Sequence, residues 1–352
     1  MRIERFNPAT DDQRVKACHA MLVAGQPTDE PNLPPMGLGQ FLGWWAHGFA
    51  GNPMQSWLAV DDDGAAGGYV LELPVRENQA NAFCFLLVPP HRRRQRIGTA
   101  LIRHAARQAA EDGRSLLISN TRVGGPGEAF ALAVGSHATL REARRLLSLD
   151  EGLSARLAGL RARAQAHAAG YQLRTWTGTT PPEFTEGLCA VMNAFGDAPL
   201  EDGVEPVTWD ADRLRAADTR VLEQGTRWYS VAAVAAGGDF AALTQVTVDP
   251  GNPEWAFQEM TAVTRPHRGH RLGLLVKVAM LEMLAEVEPQ LRRIVTSNAE
   301  VNVHMVAVNE ALGYVVTDYV DSFELGVTAA AALPVSVETV SVETVSVETQ
   351  AP

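Results

Sequence analysis

Apolar and polar positions change period along the chain, and the changes recur in the same order twice. The first round opens with a strand-like run, MRIERFN, and a helix from about Asp11, where ATDD can cap it, to Val23. After the Pro-rich GQPTDEPNLPPMG, residues Phe41, Trp44, Trp45 and Phe49 fall at helical spacing. Such a stripe is a core-facing surface or, as the alternative, an aromatic ligand cage. Strand-like runs follow at SWLAVDD, GGYVLELPV and AFCFLLV, separated by turn residues. A helix over 97–111 comes next, then SLLIS, the turn GGPGE, a short helix AFALAV and a closing segment ending near Asp150.

The Ala- and Arg-rich SARLAGLRARAQAHAAG predicts a connecting helix that stops at Gly170. The second round has a strand (YQLRTWTG), two helices (PPEFTEGLCAVMNAF and DADRLRAADTRVLEQG) and a three-strand meander (WYSVAAVAA, DFAALTQVTV, WAFQEMTAV). It continues with a helix (RLGLLVKVAMLEMLAEV), a strand (RRIVTS), a helix (VHMVAVNEAL) and a last strand (YVVTDYVDSFEL). The two rounds superpose with a constant shift of 175 residues, from Arg93 to Arg268 and from Gly98 to Gly273. An internal duplication is therefore expected, with domains at 1–150 and 170–327 joined by a helix at 151–169. VSVET occurs three times between 335 and 349. An odd period swaps faces with each repeat, so residues 328–352 are expected to form a disordered tail.

Bulk properties narrow the function. A length of 352 residues suits two domains. Net charge is −11, with 41 acidic against 30 basic residues, which repels phosphate backbones and argues against a nucleic-acid partner. No apolar run reaches the length of a membrane span, and the N-terminus lacks the order of a secretory signal, so a cytoplasmic location without a membrane partner is expected. Cys18, Cys84 and Cys189 are odd in number and far apart, which reads as idle thiols. The two lysines, Lys16 and Lys277, against many arginines read as genome composition.

HRGHRLG at 267–273 raises the sharpest chemical question. It lies between a strand-like and a helix-like run, as HRRRQRIG does at 91–98. Unpaired N–H groups at a helix start, with a glycine allowing close approach, make an anion-binding turn. The helix behind it should bury one face, through Leu272, Leu275, Val276, Ala279, Met280 and Met283, against a sheet. Neither GxGxxG nor GxxxxGK[ST] is present. His267 and His270 have no third ligand nearby, so no metal is expected.

Arg268 to Gly273 resembles motif A of the GNAT acyltransferase superfamily, R/Q-x-x-G-x-G/A after a strand ending in Val, with Arg271 at the first glycine. Arg96 repeats that substitution. NAEVNVHMVAVNEALGY at 298–314 resembles the superfamily's motif B, with Asn302 on the asparagine, Gly313 on the glycine and Tyr314 on the closing aromatic. Together the motifs resemble tandem-GNAT proteins of the mycothiol-synthase type over all but the tail. The resemblance implies an α/β (α+β) fold of two GNAT-like domains, each a mixed, mostly antiparallel sheet flanked by helices. It also implies acetyl-CoA or a longer acyl-CoA as cosubstrate. The diphosphate would rest on Arg268, Gly269, His270, Arg271, Leu272 and Gly273, and the pantetheine along Thr261, Ala262 and Val263. Asn302 and Asn309 would complete the cofactor site, with Asn309 standing where the family's proton-donating tyrosine belongs. A thiolate leaves readily without an acid, so that loss is tolerable.

Glu259 is the candidate base, on the strand face of Trp255, Phe257 and Thr261; otherwise it is a surface glutamate on a strand edge. A backbone N–H near Val263 would polarise the thioester carbonyl. The acidic segment with Asp197, Glu201, Asp202, Glu205, Asp210 and Asp212 is either a rim that attracts a cationic amine, with Asp197, Glu201 and Asp202 binding substrate, or a solvated loop. In the first half, an ungapped shift places Cys84 opposite Glu259 and Gly127 opposite Asn302. Aligning Gly135 with Gly313 instead puts Ala131 at Asn309 and Gly124 at Asn302. Either register leaves the first half without asparagine or acid, a degenerate copy whose turn can still hold the cofactor. The expected activity is N-acyl transfer to a primary amine of a small molecule, an amino sugar or antibiotic-type metabolite, by a monomer or homodimer. The alternative is a non-catalytic acyl-CoA-binding protein.

Overall fold

The computed structural model describes every residue except 198, 199, 201, 202 and 335–352. The VSVET repeats therefore lie outside the described residues. In chain order the elements begin with β1 (Arg2–Phe6), α1 (Asp12–Asp29), α2 (Leu38–Ala46), β2 (Met54–Asp61), β3 (Gly64–Glu72), β4 (Asn81–Leu87), α3 (Ile97–Glu111), β5 (Leu116–Arg122), α4 (Pro126–Ala133) and β6 (His137–Ser148). They continue with α5 (Leu153–Gln165), β7 (Tyr171–Thr177), α6 (Thr185–Phe195), α7 (Ala211–Gln224), β8 (Arg227–Ala235) and β9 (Phe240–Val248). The last are β10 (Trp255–Val263), α8 (Leu272–Val287), β11 (Arg293–Ala299), α9 (Val303–Leu312), β12 (Val315–Gly326) and α10 (Val327–Ala331).

The chain forms two compact units: Met1–Thr139 with the residues from Ser322 onward, and Leu140–Asp321. The boundaries expected at 150 and 327 fall at the ends of β6 and β12, whereas the units divide inside those strands. Residues 142–148 of β6 pair antiparallel with β11, which commits them to the second unit. At the other end, Leu325, Val327 and Ala330 sit in the core beneath α3, which commits them to the first. Hydrophobic periodicity reports that a strand exists, not which partner it has.

In the first unit the strands run β1-β2-β3-β4-β5, with the end of β12 beside β5. Neighbours from β1 to β4 are antiparallel and β4 and β5 are parallel. Strand alternation divides the core. Trp57 and Tyr69 point to the α3 side, with Leu101 and Ala105, while Leu58 and Val70 point to the other side, with Val15, Phe41 and Trp45. The aromatic stripe is core packing at its centre: Phe41 and Trp45 are fully buried, Trp44 stacks edge-on against Phe85 at 4.6 Å, and Phe49 is exposed. Burying a phenylalanine of this kind is worth about 1.5–3 kcal/mol.

Asp11 caps α1 as expected, its side chain accepting from Arg14 N at 3.1 Å. The helix nevertheless runs past Val23 and through Pro27 to Asp29. A proline there forfeits one bond near the helix end, and Thr28 Oγ1 donating to Gly25 O (2.9 Å) and Gln26 Nε2 donating to Leu33 O (2.7 Å) hold the last turn together.

In the second unit the order is β6-β11-β10-β9-β8-β7, with β10 and β11 parallel and the other neighbours antiparallel. Helix α8 was expected to bury one face, but Leu274, Val278 and Leu281 are buried as well as Leu272, Leu275, Val276 and Met280. The reason is α5, which packs on α8 through a core containing Leu153, Leu157, Leu160 and Ala164. A helix covered on both sides is apolar nearly all round. The segment expected as a connector is thus part of the core.

Candidate active site

The second unit opens its sheet at a defined point. Pairing of β10 with β11 runs from Trp255↔Arg293 to Phe257↔Val295 and stops. Gln258–Val263 then stays with β9 on one edge, while residues 296–299 of β11 stay with β6. The other two edges face an opening. Thr264 N donates to Ala241 O at 2.9 Å, so strand alternation turns the N–H groups of Val263 and Thr261 toward that opening.

A β-bulge lies where the opening begins. Gln258 pairs with Val246 and Met260 with Gln245, leaving Glu259 as the extra residue. Gln258 Nε2 braces the bulge, lying 2.9 Å from Thr244 Oγ1, 2.6 Å from Gln245 O and 2.9 Å from Met260 O. The extra residue overturns one expectation. Phe257 shares a face with Thr247, but Thr261 now pairs with Thr244 on the opposite face, where its hydroxyl meets Thr244 Oγ1 at 2.8 Å. Glu259 remains on the Phe257 side, its exposed carboxylate accepting from Thr247 Oγ1 at 2.6 Å. Ala262 is buried and Val263 half-buried against the α8 core.

The turn after β10 presents donors. Gly269 (φ 87°) and Arg271 (φ 53°) both adopt the left-handed conformation, and α8 starts at Leu272. The first bond of the helix is Leu275 N to Arg271 O at 3.0 Å. Among the described residues, the N–H groups from Gly269 to Leu274, which include those of His270 and Gly273, have no protein acceptor. Arg268 is held by Val263 O (3.2 Å) and by Asp197 (2.5 Å), and Arg265 grips Asp197 with two bonds of 2.8 and 2.5 Å. Those hydrogen bonds, from Arg265 first and then Arg268, lower the Asp197 carboxyl to about 2. Asp197 thus braces the turn rather than offering a free carboxylate. Glu201 and Asp202 lie outside the described residues, Asp210 caps α7, and Asp212 pairs with Arg215. The acidic segment is dispersed among local tasks.

The two histidines are similarly engaged: His267 Nδ1 meets Tyr171 OH at 2.9 Å and His270 Nδ1 meets His167 O at 3.2 Å. Cys18, Cys84 and Cys189 are free and buried, and burial pushes the Cys18 and Cys84 thiols up to about 12.

The first unit repeats the backbone shape and the main brace of the turn. Arg93 Nε donates to Val88 O (2.9 Å) and its guanidinium grips Asp29 (2.9 and 2.6 Å), as Arg268 uses Val263 and Asp197. Arg94 (φ 62°) and Arg96 (φ 63°) take the left-handed positions of Gly269 and Arg271. Each such arginine carries about 1–2 kcal/mol of backbone strain, so its recurrence at 96 and 271 marks a turn whose shape matters more than its cost. Pairing of β4 with β5 likewise ends early, at Phe83↔Ile118. The bulge is missing: β4 pairs with β3 without a register shift, and Cys84 is buried. Motif B follows the slipped register, because Ser136 N donates to Ala131 O as Tyr314 N does to Asn309 O.

In the second unit Asn302 is the cap of α9, accepting from Met305 N at 3.3 Å. Asn309 is fully buried; its Oδ1 accepts from Lys277 Nζ (2.8 Å) and its Nδ2 donates to Asn298 Oδ1 (3.1 Å). Lys277 was missed as a matter of composition. A lone charge inside LGLLVKVAML was the available signal, since a stretch that apolar has no solvent side for it. Burial lowers the Lys277 ammonium to about 7. Among the described residues no group of three or more His, Cys, Asp or Glu side chains could hold a metal, and no helix is long and apolar enough to cross a membrane.

A sheet opened beside a bulge, with a donor-rich turn and a helix after it, thus comes together in the second unit. Residues 24–124 match the acetyltransferase (GNAT) family, and no curated protein matches the chain. Of solved structures, a tandem GNAT protein from the clavulanic acid biosynthesis pathway is 28% identical, with a TM-score of 0.74 over 93% of this chain and 98% of that one. A GCN5-related N-acetyltransferase from Sphaerobacter thermophilus is 15% identical (TM-score 0.63, over 92% and 95% of the two chains). A glucosamine N-acetyltransferase region of a fungal β-N-acetylglucosaminidase is 13% identical (TM-score 0.60, over 92% and 38%). The first unit thus carries a match to the GNAT acetyltransferase family, and the chain as a whole is similar to a tandem GNAT protein. These likenesses support an acyl-CoA-dependent N-acyltransferase.

Proposed function

We propose that the second unit carries the chemistry, moving an acetyl or longer acyl group from acyl-CoA to a primary amine of a small molecule. The observation that carries this reading is the β10 bulge, which sets Glu259 beside an opening whose β10 edge presents the Val263 and Thr261 N–H groups. The diphosphate of the coenzyme rests on the N–H groups from Gly269 to Leu274 and the pantetheine lies along β10. Glu259 accepts a proton from the amine as its nitrogen attacks the thioester carbon. The carbonyl oxygen gains charge against a β10 N–H, the C–S bond breaks, and the thiolate leaves without an obligatory acid.

The first unit keeps the turn at Arg93–Gly98 but has Cys84 where Glu259 stands and Ala131 where Asn309 stands. Although the family match falls in this unit, the base and the bulge do not, so its role is structural or coenzyme-holding. Similarity over nearly the whole chain to a tandem GNAT protein of clavulanic acid biosynthesis favours a small metabolite as acceptor, of the amino-sugar or antibiotic type. The test is release of free thiol from acyl-CoA with a panel of primary amines, for the wild type and for Gly273→Glu and Gly98→Glu. Turnover abolished by Gly273→Glu and retained by Gly98→Glu supports the assignment; the reverse pattern moves the chemistry to the first unit.

A further inference from the structure

Lys277 is only 2% exposed, and among the described residues it forms no ion pair with a carboxylate. Its Nζ has Asn309 Oδ1 at 2.8 Å and the face of Tyr314 at 4.9 Å from the ring centroid. A long cationic side chain is seldom enclosed this completely, and where one is, the site commonly uses it.

The polarity of the surrounding network is forced. Arg145 only donates, so Asn298 Oδ1 faces it at 3.1 Å. Asn309 Nδ2 donates to the same oxygen at 3.1 Å, which leaves Asn309 Oδ1 to accept from Lys277. Asn298 Nδ2 closes on Ala299 O at 3.1 Å. One chain of bonds thus joins α8, α9, β11 and β6. Asn298 and Ala299 lie on β11 past its last pair with β10, where that strand walls the opening.

Among the described residues, nothing packed on α8 neutralises the amine. On α5, Arg161 pairs with Glu282 and Arg156 donates to Leu312 O; on β8, Arg227 pairs with Glu288; on β10, Glu259 is held by Thr247. His304 and Glu310 of α9 are exposed, β9 carries no charged residue, and burial raises the Tyr314 phenol, which stays protonated.

We propose that Lys277 is a positioning residue for acyl transfer in the second unit, acting through Asn309 and Asn298 to fix the β11 wall of the coenzyme opening. This rests on the reading that the second unit carries out the transfer. Protonating the amine places a charge in a chain whose only acceptor for it is one amide oxygen, so the wall is held best with Lys277 neutral.

The full-length Lys277→Met and Asn309→Asp variants test this, with coenzyme binding by calorimetry and kcat and KM for acyl-CoA followed across neutral pH. Lys277→Met is expected to bind coenzyme as the wild type does, keep KM within about 2-fold and lose at least about 10-fold in kcat. The limb of its kcat profile near neutrality disappears. Asn309→Asp gives the amine a carboxylate partner and moves that limb to higher pH by about one unit or more, an outcome that decides the matter even if Lys277→Met does not fold. A folded Lys277→Met with unchanged kcat and pH profile, or an unmoved limb in Asn309→Asp, overturns the proposal. Absence of coenzyme binding by the full-length wild type, seen in the same calorimetry, overturns the functional reading instead and this proposal with it.

Discussion

Thr247 Oγ1 donates to Glu259 Oε1 at 2.6 Å across the β10 bulge, so the candidate base is held by the neighbouring strand rather than left to sweep through solvent. A base held in place gives more than one that must find its geometry at each turnover. Glu259→Gln, which keeps the shape and removes the basicity, is expected to lower kcat by about 10²–10⁴ with little change in KM. Thr247→Val should give a smaller loss in the same parameter. Thiol release under saturating acyl-CoA measures both, and full turnover by Glu259→Gln removes the base assignment.

Gln258 is expected to govern the bulge itself. Gln258→Leu removes the side-chain donor shared by the Gln245 and Met260 carbonyls, at a cost of about 1 kcal/mol in stability. The opening loses its shape with the bulge, so KM for acyl-CoA should rise while a distant surface variant leaves it unchanged. Urea unfolding and steady-state kinetics report the two effects separately.

Asn302 separates capping from cofactor binding. Asn302→Ala removes the bond to Met305 N and should cost about 1 kcal/mol, the usual worth of an N-cap. Calorimetric affinity for CoA is expected to stay at the wild-type value. A weakened affinity with unchanged stability would instead support the cofactor role that motif B implied.

His104 makes the first unit sensitive to acid. Its Nδ1 meets Tyr69 OH at 2.5 Å, Trp57 lies edge-on at 4.6 Å, and burial lowers its pKa to about 4. The unfolded chain, with a histidine near 6.5, takes up a proton that the folded chain refuses. Stability present above about pH 6.5 is therefore lost as pH falls toward 4, by roughly 3 kcal/mol in full. Urea unfolding should show this slope in the wild type and not in His104→Leu.

Much of this architecture was legible in residue order. The shift of 175 held for side chains, as Arg93 and Arg268 show, and for backbone, as the left-handed Arg96 and Arg271 show. A turn is encoded locally, so a local pattern reveals it. The bulge at Glu259 was not legible, because an extra residue is defined only against the strand opposite, and that is why Thr261 was placed on the wrong face. Asp197 looked free for the same reason: its partners, Arg265 and Arg268, are about 70 residues away. Lys277 and Asn309 meet across 32 residues, and neither sequence neighbourhood hints at the other.

Strands β6 and β12 each start in one unit and finish in the other. A gene cut after Asp150 would deprive the N-terminal product of Leu325, Val327 and Ala330, leaving bare the apolar floor they cover. The duplicated halves have therefore lost their independence. Fragments expressed singly should aggregate, and partial loss of the gene from either end should damage both copies at once.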